Sequence, residues 1–281
     1  MKSTENIHGN RDFPEIEISY SRSKEAVWVA ISQQIDQKAA RTAKSVGKLI
    51  ILRSVVALFL GLLTLTAILR FYTKTIECPS GEQLTATLPD GSSVKLNAAS
   101  TLSYHPGWWN FARQVKFEGE GFFQVERGSR FEVESANGTT AVLGTSFNIF
   151  SRDEEYEVTC FTGKVQVGTL KTGQHTILSA NEQAKINKGK IERTLTNNTG
   201  QVIAWTQNMF SFTAEPIQLV IKEIERQYDI QIHFENQEDL NYTGNFPRNQ
   251  SVEEVLALVC LPMQLTFEKL PNKGFIVRKI E

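Results

Sequence analysis

Apolar and polar positions divide the chain at one long apolar run, residues 49–69, which separates a short polar head from a body of alternating pattern. A helix of roughly 21 residues, at about 1.5 Å per residue, spans about 31 Å and matches a hydrocarbon core about 30 Å thick. Arg53 is the one charged residue in the run, and its guanidinium can reach the nearby headgroups. The pattern predicts a transmembrane helix over residues 49–69.

Two other interpretations of this run are weaker. A buried core helix of this length carries a polar stripe, which the run lacks. A cleaved signal peptide starts near the amino terminus and ends at small residues, whereas this run begins only after residue 48 and is followed by Arg70, Phe71 and Tyr72. The head is therefore expected to stay attached to the body.

Basic residues beside the span predict its orientation. The amino side carries more Lys and Arg than the other side, where Arg70 and Lys74 stand. Because positively charged flanks stay in the cytoplasm, residues 1–48 are expected inside the cell and the carboxyl terminus in the periplasm. Phe71 and Tyr72 then lie at the outer interface, with membrane lipid as a partner. The basic residues on the amino side are Lys38, Arg41, Lys44, Lys48 and Arg53.

The cytoplasmic head is predicted to contain one amphipathic helix. Residues 1–20 are too polar to fold alone, and a helix starts at Lys24 after a capping serine, Ser21 or Ser23. Four large apolar residues recur at helical spacing, and nothing in the head is expected to cover them. The helix is either an interfacial stalk with its lysines on headgroups or a docking helix for a cytoplasmic partner. These four residues, the apolar stripe below, are Val27, Trp28, Ile31 and Ile35.

The body over residues 77–190 is predicted to be all-β. Short runs of alternating apolar and polar residues recur about every ten residues, and turn signals separate them. This spacing predicts a sandwich, a roll or a solenoid of strands. The turn signals are Asp90-Gly91, Asn137-Gly138 and Gly163.

One run in this body carries two glutamates close together. Between Val115 and Val125, Gly119 and Gly121 predict two strands joined by a tight bend. Glu118 and Glu120 lie two residues apart, as paired acid and base carboxylates can do. At a tight corner, however, both side chains are expected to be solvated.

Residues 208–281 change period, after a polar linker over residues 191–207. Apolar positions spaced first by two and then by three and four predict the order β-α-β-β-α-β-β, a small α+β domain. Pro216 starts the first helix, and Ser251 with Glu254 forms a capping box for the second. The predicted buried face of the first helix is Leu219, Val220, Ile224 and Tyr228.

Charge and composition exclude several functions. The chain has 30 Lys plus Arg against 31 Asp plus Glu, so it lacks the positive charge that direct nucleic-acid binding needs. Cys78, Cys160 and Cys260 do not have the paired spacing of a zinc site, and they either permit one disulfide or are buried thiols. We expect no metal and no cofactor.

No catalytic arrangement is expected. The four histidines are dispersed along the chain. The run Gly144–Asn148 contains Ser146 but lacks the second glycine of a nucleophile elbow, and strands are predicted on both sides of it, so a bulge or turn is expected there. We therefore expect a protein that binds partners and is not an enzyme.

Several multi-residue blocks resemble the FecR family, in that family's order. They are Leu88–Ser92, Phe117–Val125 and Val142–Asn148, with the likeness continuing through Gly163–Val165 and Trp205. Residues 208–281 resemble the short amino-terminal domain of secretins and TonB-dependent receptors, which FecR-type proteins carry at their carboxyl end. The resemblance spans residues 77–281, whereas the head is shorter than the cytoplasmic helical domain of many relatives.

The resemblance implies an inner-membrane anti-sigma regulator that relays a signal from an outer-membrane TonB-dependent transporter to an extracytoplasmic-function sigma factor. On this interpretation the apolar stripe binds the sigma factor. The signalling domain of the transporter would pair with an open sheet edge, either around Ile230–Phe234 or around Phe275–Ile280. The candidate contact residues are Ile230, Ile232, Phe234, Phe275 and Val277.

The alternative is a membrane-anchored periplasmic protein that binds or processes glycans, with Trp108, Trp109 and Phe111 as an aromatic platform for a sugar ring. Against this, the Trp108-Trp109 pair is expected to cap the β-core. The glycan hypothesis predicts binding to an oligosaccharide, whereas the signalling hypothesis predicts a protein partner at each end.

Overall fold

The computed structural model describes residues 21–280, apart from 171, 188, 197, 236–238 and 272–273, and of residues 41–47 and 49 it describes the backbone only. The polar segment expected over residues 1–20 lies outside the described residues. So do the side chains of Arg41 and Lys44, two of the basic residues on which the orientation was predicted.

The head helix and the predicted span form one continuous helix, α1, Lys24–Phe71, of 48 residues. Ser23 caps it, because the backbone N–H of Ala26 donates to Ser23 Oγ at 3.3 Å. The segment Ile50–Phe71 is long and apolar enough to cross a membrane, with a mean hydropathy of 2.2. Its side chains are exposed, as those of a lipid-facing helix are. The single-pass architecture predicted from the sequence is confirmed.

Residues 74–195 form the β-domain, which has thirteen strands in two sheets. The strands are β1 Lys74–Cys78, β2 Leu84–Thr87, β3 Ser93–Leu96, β4 Ser100–Tyr104, β5 Arg113–Gln124, β6 Phe131–Glu134, β7 Thr139–Val142, β8 Ser146–Arg152, β9 Glu155–Cys160, β10 Lys164–Gly168, β11 His175–Ser179, β12 Glu182–Asn187 and β13 Lys190–Leu195. The first sheet has the order β1-β4-β5-β6-β7-β10-β11 and the second β2-β3-β5-β8-β9-β12-β13. Strand β5 belongs to both, and only its pairing with β6 is parallel among these.

The two sheets enclose one apolar core, so the sandwich is the architecture that forms. Side chains of both sheets meet in it, as when Thr140 Oγ1 of β7 lies 2.7 Å from the hydroxyl of Tyr156 on β9. The core is filled by large side chains that alternate along the strands with outward-facing polar ones. The largest fully buried ones are Tyr156, Phe123, Phe131, Phe147, Leu96, Leu102, Ile149 and Leu178.

The predicted tight bend at Gly119 is wrong, because β5 runs through it as one strand. Residues before Gly119 pair with β4 and β6, and residues from Gly119 onward pair with β3 and β8. Gly119 has a φ of +112°, and a Cβ there would lie 2.3 Å from Ser100 Oγ. The glycine therefore redirects the strand from one sheet into the other without ending it.

Two of the predicted turns join paired strands, and the third does not. Asp90-Gly91 connects β2 to β3, and Asn137-Gly138 connects β6 to β7. Gly163 connects β9 to β10, which lie in different sheets. The alternating pattern predicts strands on either side of Gly163, but it does not reveal that the chain crosses the core between them.

The predicted linker over residues 191–207 contains regular structure. Most of β13 falls within it, and it continues into the short helix α2, Thr199–Val202, and a 3-10 turn at Ala204–Gln207. Trp205 in this turn is buried, so the segment packs onto the domains on either side of it. Its polar composition conceals this one buried aromatic anchor.

Residues 209–279 form the predicted α+β domain, and the order β-α-β-β-α-β-β is confirmed. The elements are β14 Met209–Pro216, α3 Ile217–Tyr228, β15 Gln231–Phe234, β16 Asn241–Pro247, α4 Val252–Cys260, β17 Leu265–Leu270 and β18 Gly274–Lys279. β14 pairs with β16, and β15, β18 and β17 form a second sheet in that order. Ser251 and Glu254 make the capping box of α4, as predicted. This domain has an apolar core of its own.

Two details of this domain differ from the prediction. Strand β18 lies between β15 and β17, so Phe275–Ile280 is not an edge. On α3, Gln227 is buried and Tyr228 only partly so, because the buried face turns toward the β-domain at the end of the helix. Leu219 is likewise half-buried.

Candidate partner-binding sites

The apolar stripe predicted to bind a sigma factor is exposed on α1. Trp28 is 72% exposed and Ile35 61%, while Val27 and Ile31 are each about two fifths exposed. Residues four apart lie on one side of a helix, so three of these side chains line up and Trp28 stands beside them. Large apolar side chains left in water are a feature of binding surfaces.

The five residues predicted to contact a transporter are brought together, but in the core of the α+β domain. Ile232, Phe275 and Val277 are buried, and Ile230 and Phe234 are half-buried against the same core. The β15–β18 register places Ile232 opposite Phe275 and Phe234 opposite Val277. Alternation along the strands predicted correctly that these residues are apolar neighbours, but their side chains are directed toward the core and offer little surface to a partner.

The outer strands of this sheet are β15 and β17, and both edges carry charged groups. The backbone N–H of Ile232 donates to Glu225 Oε1 at 2.6 Å, so the domain itself satisfies this group of the β15 edge. On β17, Lys269 pairs with Glu253 at 2.8 Å and Glu268 with Arg278 at 3.1 Å. Charged side chains of this kind protect a sheet edge from indiscriminate pairing.

A polar contact that sequence reasoning did not identify joins the α+β domain to the β-domain. Gln227 Nε2 donates to Asn97 Oδ1 at 2.8 Å, and the Arg248 guanidinium donates to the carbonyl oxygens of Gly81 and Gln227 at 2.5 and 3.0 Å. The N–H of Gly81 donates to the carbonyl of Arg226 at 2.8 Å. The domains are therefore held together mainly by hydrogen bonds, each of which contributes about 1 kcal/mol net.

Glu120 lies buried beneath this contact, contrary to the expectation that it is solvated. Its carboxylate accepts hydrogen bonds from Asn97 Nδ2 at 2.8 Å and from Asn148 Nδ2 at 3.2 Å. Burial raises the pKa of Glu120 to about 7, and the negative charge of Glu223 acts in the same direction, while Arg152 and the two amides oppose it. Glu118, its partner in the sequence, is exposed.

Beside the polar contact lies a cleft of about 430 Å³ lined by both domains. Glu157 of the β-domain and Glu215 of the α+β domain reach it, and burial raises the pKa of each carboxyl group. Lys185 Nζ lies 3.8 Å from Glu157 and moderates the acidic character. Among the residues that the structure describes, no group of three or more His, Cys, Asp or Glu side chains is placed to hold a metal ion.

The three thiols are buried, and the structure has them unbonded. Burial raises the pKa of Cys160 to about 11 and that of Cys260 to about 12, and it also raises the pKa of Cys78. Of the two possibilities stated from the sequence, buried thiols are therefore the one observed, and such thiols react slowly because the thiolate is scarce.

The aromatic platform of the glycan hypothesis is divided by the fold. Trp109 is buried in the β-core, with its ring edge-on to Tyr104 at 5.4 Å and to Phe131 at 6.0 Å. Trp108 is half-buried and Phe111 is exposed. The expectation that the tryptophan pair caps the core holds for Trp109 alone.

One sequence signal could have revealed the polar contact. Gln227 occupies a helical position in register with Ile217, Val220, Ile221 and Ile224, which form the buried face of α3. A polar residue at such a position is buried only with hydrogen-bond partners, and these come from outside its own domain. No signal in the local pattern identifies Asn97 as that partner, because the two residues are far apart in the chain.

Comparisons with known proteins agree with this architecture. The model of the FecR protein family matches residues 74–166, and the model of the FecR carboxyl-terminal domain matches residues 209–277. Two crystal structures of a candidate anti-sigma factor from Parabacteroides distasonis ATCC 8503, at 2.50 and 1.65 Å resolution, are similar with a TM-score of 0.68 and 30% identity. They cover 75% and 74% of this chain and 100% of their own. No curated protein matches the sequence.

Proposed function

Because the chain belongs to the FecR family, we propose that it is an anti-sigma regulator that relays a signal from an outer-membrane TonB-dependent transporter to an extracytoplasmic-function sigma factor. The match of both FecR domains, together with 30% identity to a candidate anti-sigma factor over that protein's whole length, carries the proposal. The chain joins an exposed helix, one span and two further domains, and a relay across a membrane needs those parts.

The orientation places residues 1–48 in the cytoplasm and the β-domain and α+β domain in the periplasm of an inner-membrane protein. Lys38 and Lys48 precede the span and Arg70 and Lys74 follow it, and Arg41 and Lys44 add to the excess on the amino side. Fusions of a reporter that is active only in the periplasm test this directly. Activity is expected after residue 281 and absent at residue 20, and the reverse pattern would remove the basis for a cytoplasmic partner.

On the cytoplasmic side, the apolar stripe is the proposed sigma-binding surface. Its four side chains have no covering partner among the described residues of the head, and burying each large one against a partner contributes about 1.5 to 3 kcal/mol. A helix laid into an apolar groove of the sigma factor uses residues at this spacing. The head is too small to form an enzyme core, so it acts by contact.

On the periplasmic side, the α+β domain is the proposed contact for the signalling domain of the transporter. Its β15 edge can accept a further strand if Glu225 releases the N–H of Ile232. Such a contact would be modest, about 1,200 Å² or less, and hence transient. The polar contact at Gln227 and Arg248 gives the domain a resting position against the β-domain.

Purification of the intact protein from membranes tests the whole proposal. The expected result is recovery of a sigma factor through the head and of a TonB-dependent transporter through residues 208–281, each lost when that part is deleted. Recovery of neither protein by a chain that reaches the membrane at normal abundance would refute the relay.

A further inference from the structure

The end of α1 packs against a loop of the β-domain. A Cβ at Gly107 would lie 2.8 Å from the carbonyl oxygen of Leu69, in the last turn of the apolar segment. His105 Nδ1 lies 3.1 Å from the carbonyl oxygen of Tyr72 and 3.2 Å from Thr73 Oγ1. Only a glycine permits so close an approach, so the loop between β4 and β5 is held at the membrane end of the β-domain.

Aromatic side chains from the helix end and from the loop form one exposed cluster. The rings of Trp108 and Phe111 are 4.6 Å apart, and the Arg70 guanidinium lies 5.5 Å from the Trp108 ring and 5.8 Å from that of Phe71. Phe111 is 76% exposed, Phe71 74% and Tyr72 60%. The β-core does not need these rings, because Trp109 already fills the adjoining position.

We propose that Trp108 and Phe111, together with Phe71 and Tyr72, insert into the headgroup region of the bilayer and seat the β-domain on the membrane surface. The cluster continues directly from the apolar segment that ends at Phe71. Trp and Tyr concentrate at this depth because their rings are apolar and their N–H and O–H groups stay hydrated. Arg70, stacked on Trp108, is placed to meet lipid phosphate.

The occupant is therefore a lipid surface and not a sugar or a second protein. The rings surround the point where the chain leaves the hydrocarbon, and a sugar platform there would be covered by headgroups. The inference rests on α1 crossing the membrane, and it does not depend on which sigma factor or transporter the protein serves.

The test uses the full chain reconstituted in phosphatidylcholine–phosphatidylglycerol vesicles that contain a lipid with a nitroxide high on its acyl chain. Asn110→Cys, exposed and beside Phe111, is labelled with an environment-sensitive fluorophore and leaves all four rings in place. The native thiols are buried and do not compete for the label. Leu195→Cys is the matched control, because Leu195 is also 76% exposed but lies on β13 at the far end of the β-domain sequence.

The label at position 110 should be quenched at least about twofold more than the label at position 195. Combining Asn110→Cys with Trp108→Ser and Phe111→Ser should remove most of that difference, since the loop would no longer insert. Equal quenching at the two positions would overturn the proposal. So would quenching that survives the two serine substitutions, because the span alone would then hold the label near lipid. A signal that changes with protein concentration would assign the cluster to a second copy of the chain and would also overturn it.

Discussion

Single side chains of the apolar stripe carry the proposed contact with the sigma factor. Trp28 and Ile31 are exposed on neighbouring positions of α1 and bring the largest apolar area to a partner. Trp28→Ala with Ile31→Asp removes one of them and adds a charge to the other. If each contributes about 1.5 to 3 kcal/mol, affinity for the sigma factor should fall at least about hundredfold. Co-purification and transcription from the target promoter measure the effect.

A control on the same helix separates loss of contact from loss of helix. Gln33 and Gln37 are exposed and lie on the side of α1 opposite to Ile31, because each residue turns the helix by about 100°. Gln33→Ala with Gln37→Asp makes a similar change in size and charge there and should leave binding intact. If the stripe variant also binds normally and transcription is unchanged, the docking surface lies elsewhere.

Glu120 gives the protein a pH-dependent stability. Its folded pKa of about 7 exceeds the ordinary value of 4.5, so the folded state binds the proton more tightly than the unfolded state. The stabilising contribution is fully present below pH 4.5, falls as pH rises through about 7 and is absent above that. The loss amounts to about 3 kcal/mol at most. Denaturant unfolding of the residues following the span, between pH 4.5 and 8, measures it.

The variant Glu120→Gln should flatten this part of the profile and be more stable than the wild type at pH 8. The amide keeps the hydrogen bond from Asn97, and a flip of the Asn148 amide lets its otherwise unpaired Oδ1 accept from the new NH₂ group. Glu118→Gln makes the same change at an exposed site on the same strand. Identical pH profiles for the wild type and Glu120→Gln would show that Glu120 is not the titrating group.

At the scale of elements, β5 determines whether the β-domain forms. It is the strand shared by both sheets, and Gly119 is the residue at which it passes from one to the other. Gly119→Ala adds a methyl group 2.3 Å from Ser100 Oγ at a φ of +112°, so both a clash and backbone strain result. We expect a loss of roughly 2 to 4 kcal/mol in the free energy of unfolding.

The matching substitution Gly173→Ala isolates the clash from the strain. Gly173 also has a positive φ, +68°, but a Cβ there meets nothing within 4 Å. It should cost only about 1 kcal/mol, the price of the backbone conformation alone. Equal losses for the two variants, measured by thermal and denaturant unfolding, would mean that the close approach to Ser100 is not what demands the glycine.

Local pattern predicted the elements well and their partners less well. The capping box at Ser251 and the turns at Gly91 and Gly138 depend on neighbouring residues, and all were predicted correctly. The role of Gly119 depends on a contact with Ser100, and the position of β18 depends on which strands flank it. Pairings between distant segments leave no periodic signal in the strands themselves.

The candidate sites divide in the same way. Exposure of the stripe at Trp28 and Ile31 follows from a helix with nothing to pack against, which the sequence alone indicates. The contact of Gln227 with Asn97, by contrast, joins residues from two domains and could be found only from the folded chain. Burial of Glu120 has the same origin, because the α+β domain contributes Glu223 and covers the polar contact above it.

At the scale of the whole molecule, the β-domain and the α+β domain each have a separate apolar core. The contact between them is mainly polar, and water can replace its hydrogen bonds at little cost once the domains part. Domains joined in this way fold independently and separate more readily than domains that share a core. A partner that binds the α+β domain can therefore shift its position without unfolding the β-domain that lies next to the span.

Deletion of residues 208–281 tests whether this domain receives the signal. Because the β-core contains no residue of the deleted part, the shortened protein should reach the membrane at normal abundance, and Asn97 and Glu120 become solvated. If the domain contacts the transporter, the cell should no longer respond to the transporter's substrate. Arg248→Ala, which removes hydrogen bonds to Gly81 and Gln227 but keeps the domain, should retain the response. A deletion variant that accumulates normally and still responds would place signal reception in residues 77–190.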